Sequence, residues 1–233
     1  MNSKAEDRSN NVLAILQGRL VVSCQPVSGG PMDRTDIIVA FAEAAILGGA
    51  AGLRIEGAGN VAAVLATLDV PVIGLIKHET PEGLRITPGL DDVQALVEAG
   101  AHVIAFDATQ RTRKHSIAEM VQTIHAAGRL AMADCSSADD ASEAFAAGAD
   151  ILGTTLSGYT GDTVPEGPDL SLIETLRMHG VPVFAEGRYN SPELARGAIV
   201  QGAWAVVVGS AITRAEHVTG WFADAIARAE RIR

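Results

Sequence analysis

Aromatic side chains are scarce in this chain: five Phe, two Trp and two Tyr in 233 residues. Its core must therefore come from small and branched aliphatics. With 48% hydrophobic residues and 24 Gly, that mix suits close packing of helices on a sheet. Cysteine is almost missing as well. Cys24 and Cys135 give neither a disulfide framework nor a metal-ligand spacing, and read as separate buried thiols. The six histidines, at 78, 102, 115, 125, 179 and 217, also lack ligand spacing, so no metal is expected. Basic charge is in deficit. A net charge of −10 argues against nucleic acid, whose binding needs a basic face. Long apolar runs are missing too: the first, VLAIL, has five residues, too few for a signal sequence or a membrane span. A cytoplasmic location with no membrane partner is expected. No Gly-x-Gly-x-x-Gly follows the first apolar run, where SCQPVSGGPMD stands. That removes the dinucleotide fingerprint of a doubly wound sheet, the structural alternative.

What is present is an alternation. Apolar runs of strand length lie near 20–25, 51–56, 71–77, 102–107, 130–135, 150–155, 182–187 and 205–210. Amphipathic stretches such as DIIVAFAEAAILGG and SIAEMVQTIHAAG separate them. Near-continuous Val/Ile/Leu/Ala strands are those covered on both faces, and alternation with helices implies a parallel sheet. Glycines at 49, 100, 148 and 202 recur about every two strand–helix units and suit left-handed helix ends. The pattern predicts a single (β/α)8 TIM barrel over 11–233, with a short N-terminal helix and a polar tail over 1–10.

Active sites in this architecture lie at the C-terminal strand ends. Those ends read Gln25, Arg54 and Glu56, Lys77, Asp107, Asp134, Thr154 and Thr155, Glu186, then Gly209 and Ser210. Seven polar endings around one mouth make a candidate site. Residues two apart share a strand face, so Ile73, Leu75 and Lys77 point one way, as do Phe184 and Glu186. A lysine and a glutamate in one low-dielectric cup would have pKa values displaced toward neutrality, which suits a base and an acid. A structural Lys–Glu ion pair is the alternative. After the seventh and eighth strands, EGRYNSPELA and VVVGSAITRAEH offer Gly187, Arg188, Gly209 and Ser210 as amide donors to a phosphate, with Arg214 adding charge.

These motifs resemble the N-acetylmannosamine-6-phosphate 2-epimerases, within the ribulose-phosphate-binding barrels. The match runs from VVSCQP through GLIK, ITP, FDATQR, MADCS, GTTLSGYT and AEGRYNSPE to VVVGSAITR, over about residues 15 to 230. The resemblance implies interconversion of N-acetylmannosamine 6-phosphate and N-acetylglucosamine 6-phosphate without a cofactor, in amino-sugar and sialic acid breakdown. It implies that Lys77 and Glu186 are the acid/base residues and that Gln25, Arg54, Asp134 and Arg214 contact sugar or phosphate. His78 stands where the family pattern suggests an arginine. Rival readings are another phosphosugar isomerase or aldolase on the same barrel, and a non-catalytic phosphosugar sensor. Near the C-terminus, Trp221, Phe222, Ala225 and Ile226 crowd one helix with more aromatic surface than a single stripe requires. A homodimer through that helix is expected.

Overall fold

In a computed structural model, residues 11–81, 83–161 and 164–230 are described. The polar tail expected over 1–10 lies outside them. A short helix, α1 (11–16), precedes β1 (Arg19–Cys24), α2 (Thr35–Leu47), β2 (Gly52–Glu56), α3 (Ala58–Thr67) and β3 (Val72–Leu75). A hairpin follows, β4 (Lys77–Thr80) and β5 (Gly83–Ile86), paired antiparallel. The remainder is α4 (Leu90–Glu98), β6 (Val103–Asp107), α5 (Ile117–Ala126), β7 (Leu130–Asp134), α6 (Ala138–Ala146), β8 (Ile151–Gly153), α7 (Leu170–Arg177), β9 (Val183–Glu186), α8 (Pro192–Val200), β10 (Ala205–Val208), α9 (Ser210–Thr213) and α10 (Ala215–Glu230). Eight parallel strands close into a barrel in the order β1-β10-β9-β8-β7-β6-β3-β2. The expected (β/α)8 fold with its short N-terminal helix is what forms.

Strand parity divides the apolar residues between two cores. Val103 and Ala105 of β6, with Leu130 and Met132 of β7, belong to the barrel interior. Their neighbours Ile104, Phe106, Ala131 and Ala133 face the helices. Val12 and Leu16 of α1 pack into the interior core, and Trp204 Nε1 donates to Leu13 O at 2.9 Å, so α1 plugs the lower end. Helix α5 shows how the local code works. Ser116 and Glu119 form a capping box, and Ile117, Met120, Val121 and Ile124 are its buried stripe. The recurring glycines behave as the sequence suggests: Gly49, Gly100, Gly148 and Gly202 all have φ between 91° and 99°, where a Cβ would be strained.

Met178, the residue that caps the C-terminal end of α7, is 85% exposed. The segment from Lys77 to Ile86 is the β4–β5 hairpin, which an apolar-run reading passes over because KHET has no apolar residue and GLRI has only two.

Candidate active site

Each strand carries its interior-facing parity up to the mouth, where apolar residues give way to polar ones. Above Ile73 and Leu75 in the interior core, Lys77 continues the same face. Above Phe184 comes Glu186, and above Met132 comes Asp134. The mouth holds a cavity of about 300 Å³ that Gln25, Arg54, Lys77, Thr155, Glu186, Gly209, Ser210 and Arg214 help to line. Lys77 and Glu186 thus share one cavity.

Arg54 organises the floor. It is 1% exposed, and its two terminal nitrogens grip Asp134 at 3.1 and 2.7 Å. Nη1 also donates to Glu186 Oε2 at 2.5 Å. Thr155 Oγ1 donates to Asp134 Oδ1 at 2.5 Å and lies 3.3 Å from Glu186 Oε2. Burial opposes the charge on Arg54, but Asp134 and Glu186 more than offset this and raise its pKa. Asp134, expected to touch substrate, is fully buried. It sits one layer below the cavity and reaches it only through Arg54 and Thr155.

The two candidate proton carriers are displaced in opposite directions. Burial, then the nearby cations Arg214 and Arg54, lower the Lys77 pKa to about 8. Burial raises Glu186 to about 7; Asp134 adds to the rise, while Arg54 and Lys77 oppose it. Lys77 and Glu186 do not form the simple ion pair that was the alternative. Glu186 pairs with Arg54, and Lys77 makes no ion pair among the described residues. The Lys77 amide donates to Glu56 Oε1 at 3.4 Å, and the Thr154 hydroxyl donates to Glu186 O at 2.8 Å. These contacts fix the backbones that carry the pair. They also explain why Glu56 and Thr154, though polar strand ends, are not cavity residues.

Directly after Glu186 and after β10 lie the turns expected to hold an anion. The amides of Gly187, Arg188, Gly209 and Ser210 donate to no described residue, and all four residues line the cavity. Arg214 lines it too, with Nε donating to Gln25 O at 2.8 Å. The Gln25 amide in turn donates to Ser23 Oγ at 2.7 Å. Ser191 caps α8 and Pro192 is first in the helix, so Gly187 and Arg188 form a turn ahead of it.

Asp107 is the strand end that the fold turns elsewhere. It meets Arg85 at 3.4 Å and Arg111 at 2.6 Å and borders a separate cavity of about 330 Å³ with Arg85, Arg113, Lys114 and His115. The hairpin is the wall between the two spaces. Leu84 and Ile86 face the Lys77 cavity, while Arg85 and Thr87 face the other. Of the two, only the former brings together Lys77, Glu186 and Arg54. His78 pairs with Asp92 of α4 at 2.9 Å and is not a lining residue.

Both thiols are inert. Burial lifts Cys24 to about 12 and Cys135 well above its ordinary value. No group of three or more His, Cys, Asp or Glu among the described residues could hold a metal ion. No helix of the described residues is long and apolar enough to cross a membrane. The strand-end reading missed the apolar wall of Leu84, Ile86 and Leu156 and the rim residue Tyr159. The run LSGYT was the available signal for Tyr159: an aromatic in a Gly-containing loop just after a strand.

Residues 38–228 match the family described as "Putative N-acetylmannosamine-6-phosphate epimerase". A protein of Yersinia pseudotuberculosis called "Putative N-acetylmannosamine-6-phosphate 2-epimerase" is 54% identical over 222 residues, 95% of each chain. One of Klebsiella pneumoniae with the same description is 53% identical over 210 residues, 90% of each chain. The solved N-acetylmannosamine-6-phosphate 2-epimerase of Clostridium perfringens superposes with a TM-score of 0.87 at 38% identity, covering 91% of this chain and 95% of its own.

Proposed function

The chain belongs to the N-acetylmannosamine-6-phosphate epimerase family, and from that premise we propose that it interconverts N-acetylmannosamine 6-phosphate and N-acetylglucosamine 6-phosphate, with Lys77 and Glu186 as the proton-transferring pair. The supporting observation is that one cavity holds an amine lowered to about 8 and a carboxyl raised to about 7. Near neutral pH each can exist in both protonation states, as general acid–base chemistry needs.

In the ring-opened sugar the C2 hydrogen is acidified by the C1 carbonyl. One member of the pair takes that proton, and the C2–H electrons form the enolate C1–C2 double bond. A proton then returns to the other face of C2, the C1 carbonyl re-forms, and the configuration is inverted. No net electrons are gained or lost. We assign Gln25 to the sugar oxygens. Arg54, with both terminal nitrogens on carboxylates, is assigned to holding Glu186 and to placing positive charge near the developing enolate. Asp134 orients Arg54. The phosphate is held by the amides of Gly187, Arg188, Gly209 and Ser210 and by Arg214. Binding energy from this remote anion positions the reacting carbon.

Proton NMR of N-acetylmannosamine 6-phosphate with the protein in D2O tests the reading. The expected result is N-acetylglucosamine 6-phosphate carrying deuterium at C2. No product, or product retaining full C2 protium, overturns it.

The same reading treats 11–233 as one catalytic domain acting in the cytoplasm on amino-sugar breakdown, as a homodimer. The dimer rests on α10. Among its residues from 215 to 229 none is buried, and Trp221, Phe222 and Ile226 are 38%, 69% and 64% exposed. An apolar helix face of this kind needs a second surface.

A further inference from the structure

Arg188 sits at the cavity rim, yet its guanidinium turns away from the anion turn. Nε donates to Gly167 O at 2.6 Å and Nη1 donates to Ser157 O at 2.7 Å. Both carbonyls belong to the connection between β8 and α7. The guanidinium carbon lies 5.3 Å from the centroid of the Tyr159 ring, over its face. Arg188 does this from φ = 61°, a left-handed conformation that costs a residue with a Cβ. Such strain persists only where surrounding contacts over-determine it.

The stretch before Tyr159 is held from other sides as well. Ser157 Oγ donates to Asp169 Oδ2 at 2.7 Å, and the Tyr159 amide donates to Leu156 O at 2.9 Å. A Cβ at Gly158, itself at φ = 77°, would lie 2.4 Å from Pro165 Cδ. For all this anchoring, Tyr159 remains 47% exposed and lines the cavity beside Leu156. The chain immobilises the backbone around an aromatic whose own surface is left open to the ligand space.

We propose that Tyr159 contacts the sugar portion of the substrate and that Arg188 is its positioning residue, fixing the loop through the Ser157 and Gly167 carbonyls and the ring through its π face. The inference rests on the substrate reading above and adds the residue that covers the sugar. The polar groups of the cavity lie on its floor and anion turn, while Leu84, Ile86 and Leu156 make an apolar wall. A ring in that wall presents a flat surface to the C–H face of a sugar chain. This contact exists before and during proton transfer, so its loss weakens binding and leaves turnover nearly unchanged. Lysine cannot replace Arg188, because two carbonyls and a ring face must be met by one planar fork.

The test is steady-state epimerase kinetics of the full chain for Tyr159→Ala, Arg188→Ala, Arg188→Lys and the Tyr159→Ala/Arg188→Ala double variant, with inorganic phosphate as competitive inhibitor. Each Arg188 substitution keeps the backbone amide. Each single variant is expected to raise KM roughly 3- to 10-fold, the size of one aromatic contact, with kcat within about twofold. The double variant is expected to match Tyr159→Ala alone, because Arg188 acts through Tyr159. In Tyr159→Ala the inhibition constant of phosphate stays at the wild-type value. An unchanged KM in Tyr159→Ala, whose exposed side chain is dispensable for folding, overturns the proposal. So do additive effects in the double variant, full rescue by Arg188→Lys, or a phosphate inhibition constant that rises with KM in Tyr159→Ala. A wild-type protein with no epimerase activity instead overturns the substrate reading, which keeps the two failures distinct.

Discussion

Arg54 Nη1 lies 2.5 Å from Glu186 Oε2, so the carboxyl read as a proton carrier is tied to a guanidinium that also holds Asp134. The second carboxylate limits what that cation can do for the first. Arg54 draws the Glu186 pKa down, but burial and Asp134 push it up, and the balance is about 7. A lone Arg–Glu pair would keep the glutamate ionised. Burial first, and Asp134 with it, leaves Glu186 able to take up and release a proton near neutrality.

Lys77→Ala and Glu186→Ala are each expected to lower kcat by at least ~10²-fold, the usual worth of a general acid or base. KM should change far less. Near-normal kcat in either purified variant removes that residue from the mechanism. Lys77→Met is also expected to raise Tm at pH 7. The folded pKa of about 8 lies below the unfolded value of 10.5, so burying the ammonium opposes folding throughout the range below about 8, and this penalty fades as pH rises from there toward 10.5. A lower Tm for Lys77→Met contradicts the buried-ammonium argument.

The pH profile of kcat/KM is expected to be bell-shaped, with limbs near 7 and 8 from Glu186 and Lys77. The prediction holds for either assignment of acid and base. Ionised Glu186 with charged Lys77, or protonated Glu186 with neutral Lys77, both peak between the two apparent values. A profile flat between about pH 6 and pH 9 excludes titration of this pair from the rate.

Unphosphorylated N-acetylmannosamine is expected to be a poor substrate, and Arg214→Ala is expected to raise KM for the phosphorylated sugar by ~10-fold or more, as for a charge-assisted contact. Comparable specificity constants with and without the phosphate dismiss the proposed anion turn.

Prolonged EDTA treatment should leave activity intact, since the proposed proton transfer and phosphate binding use only side chains and backbone amides. Loss on chelation, restored by a divalent ion, revives a metal-dependent phosphosugar epimerase.

Light scattering at micromolar concentration is expected to report about twice the 24.1 kDa chain mass. Phe222→Glu should shift this toward the monomer, because it places a charge in the proposed contact. A wild-type mass near 24.1 kDa refutes the dimer.

The barrel was readable because each of its signals is local. Strand parity separates Val103 and Ala105 from Ile104 and Phe106 within one short run. Gly49, Gly100, Gly148 and Gly202 mark helix ends by a backbone freedom other residues lack. Parity also carried Lys77 and Glu186 to the mouth from Leu75 and Phe184. The hairpin that walls the cavity was not readable in this way, since Lys77–Thr80 has no apolar residue and Arg85 interrupts the apolar pair of Gly83–Ile86. Asp107 looked like any other polar strand end until Arg85 and Arg111 were seen to claim it.

By itself the sequence determined the barrel, the ring of polar strand ends and the presence of an amine and a carboxyl at one mouth. These follow from periods of two and 3.6 residues repeated along the chain. Only the tertiary structure decided how the charges are shared. Arg54 meets Asp134 across 80 residues and Glu186 across 132, and no local pattern specifies which of several strand-end carboxylates an arginine will reach. That choice depends on side-chain direction and on loss of water within the closed barrel, and it separates the buried Asp134 from Glu186 at the cavity surface.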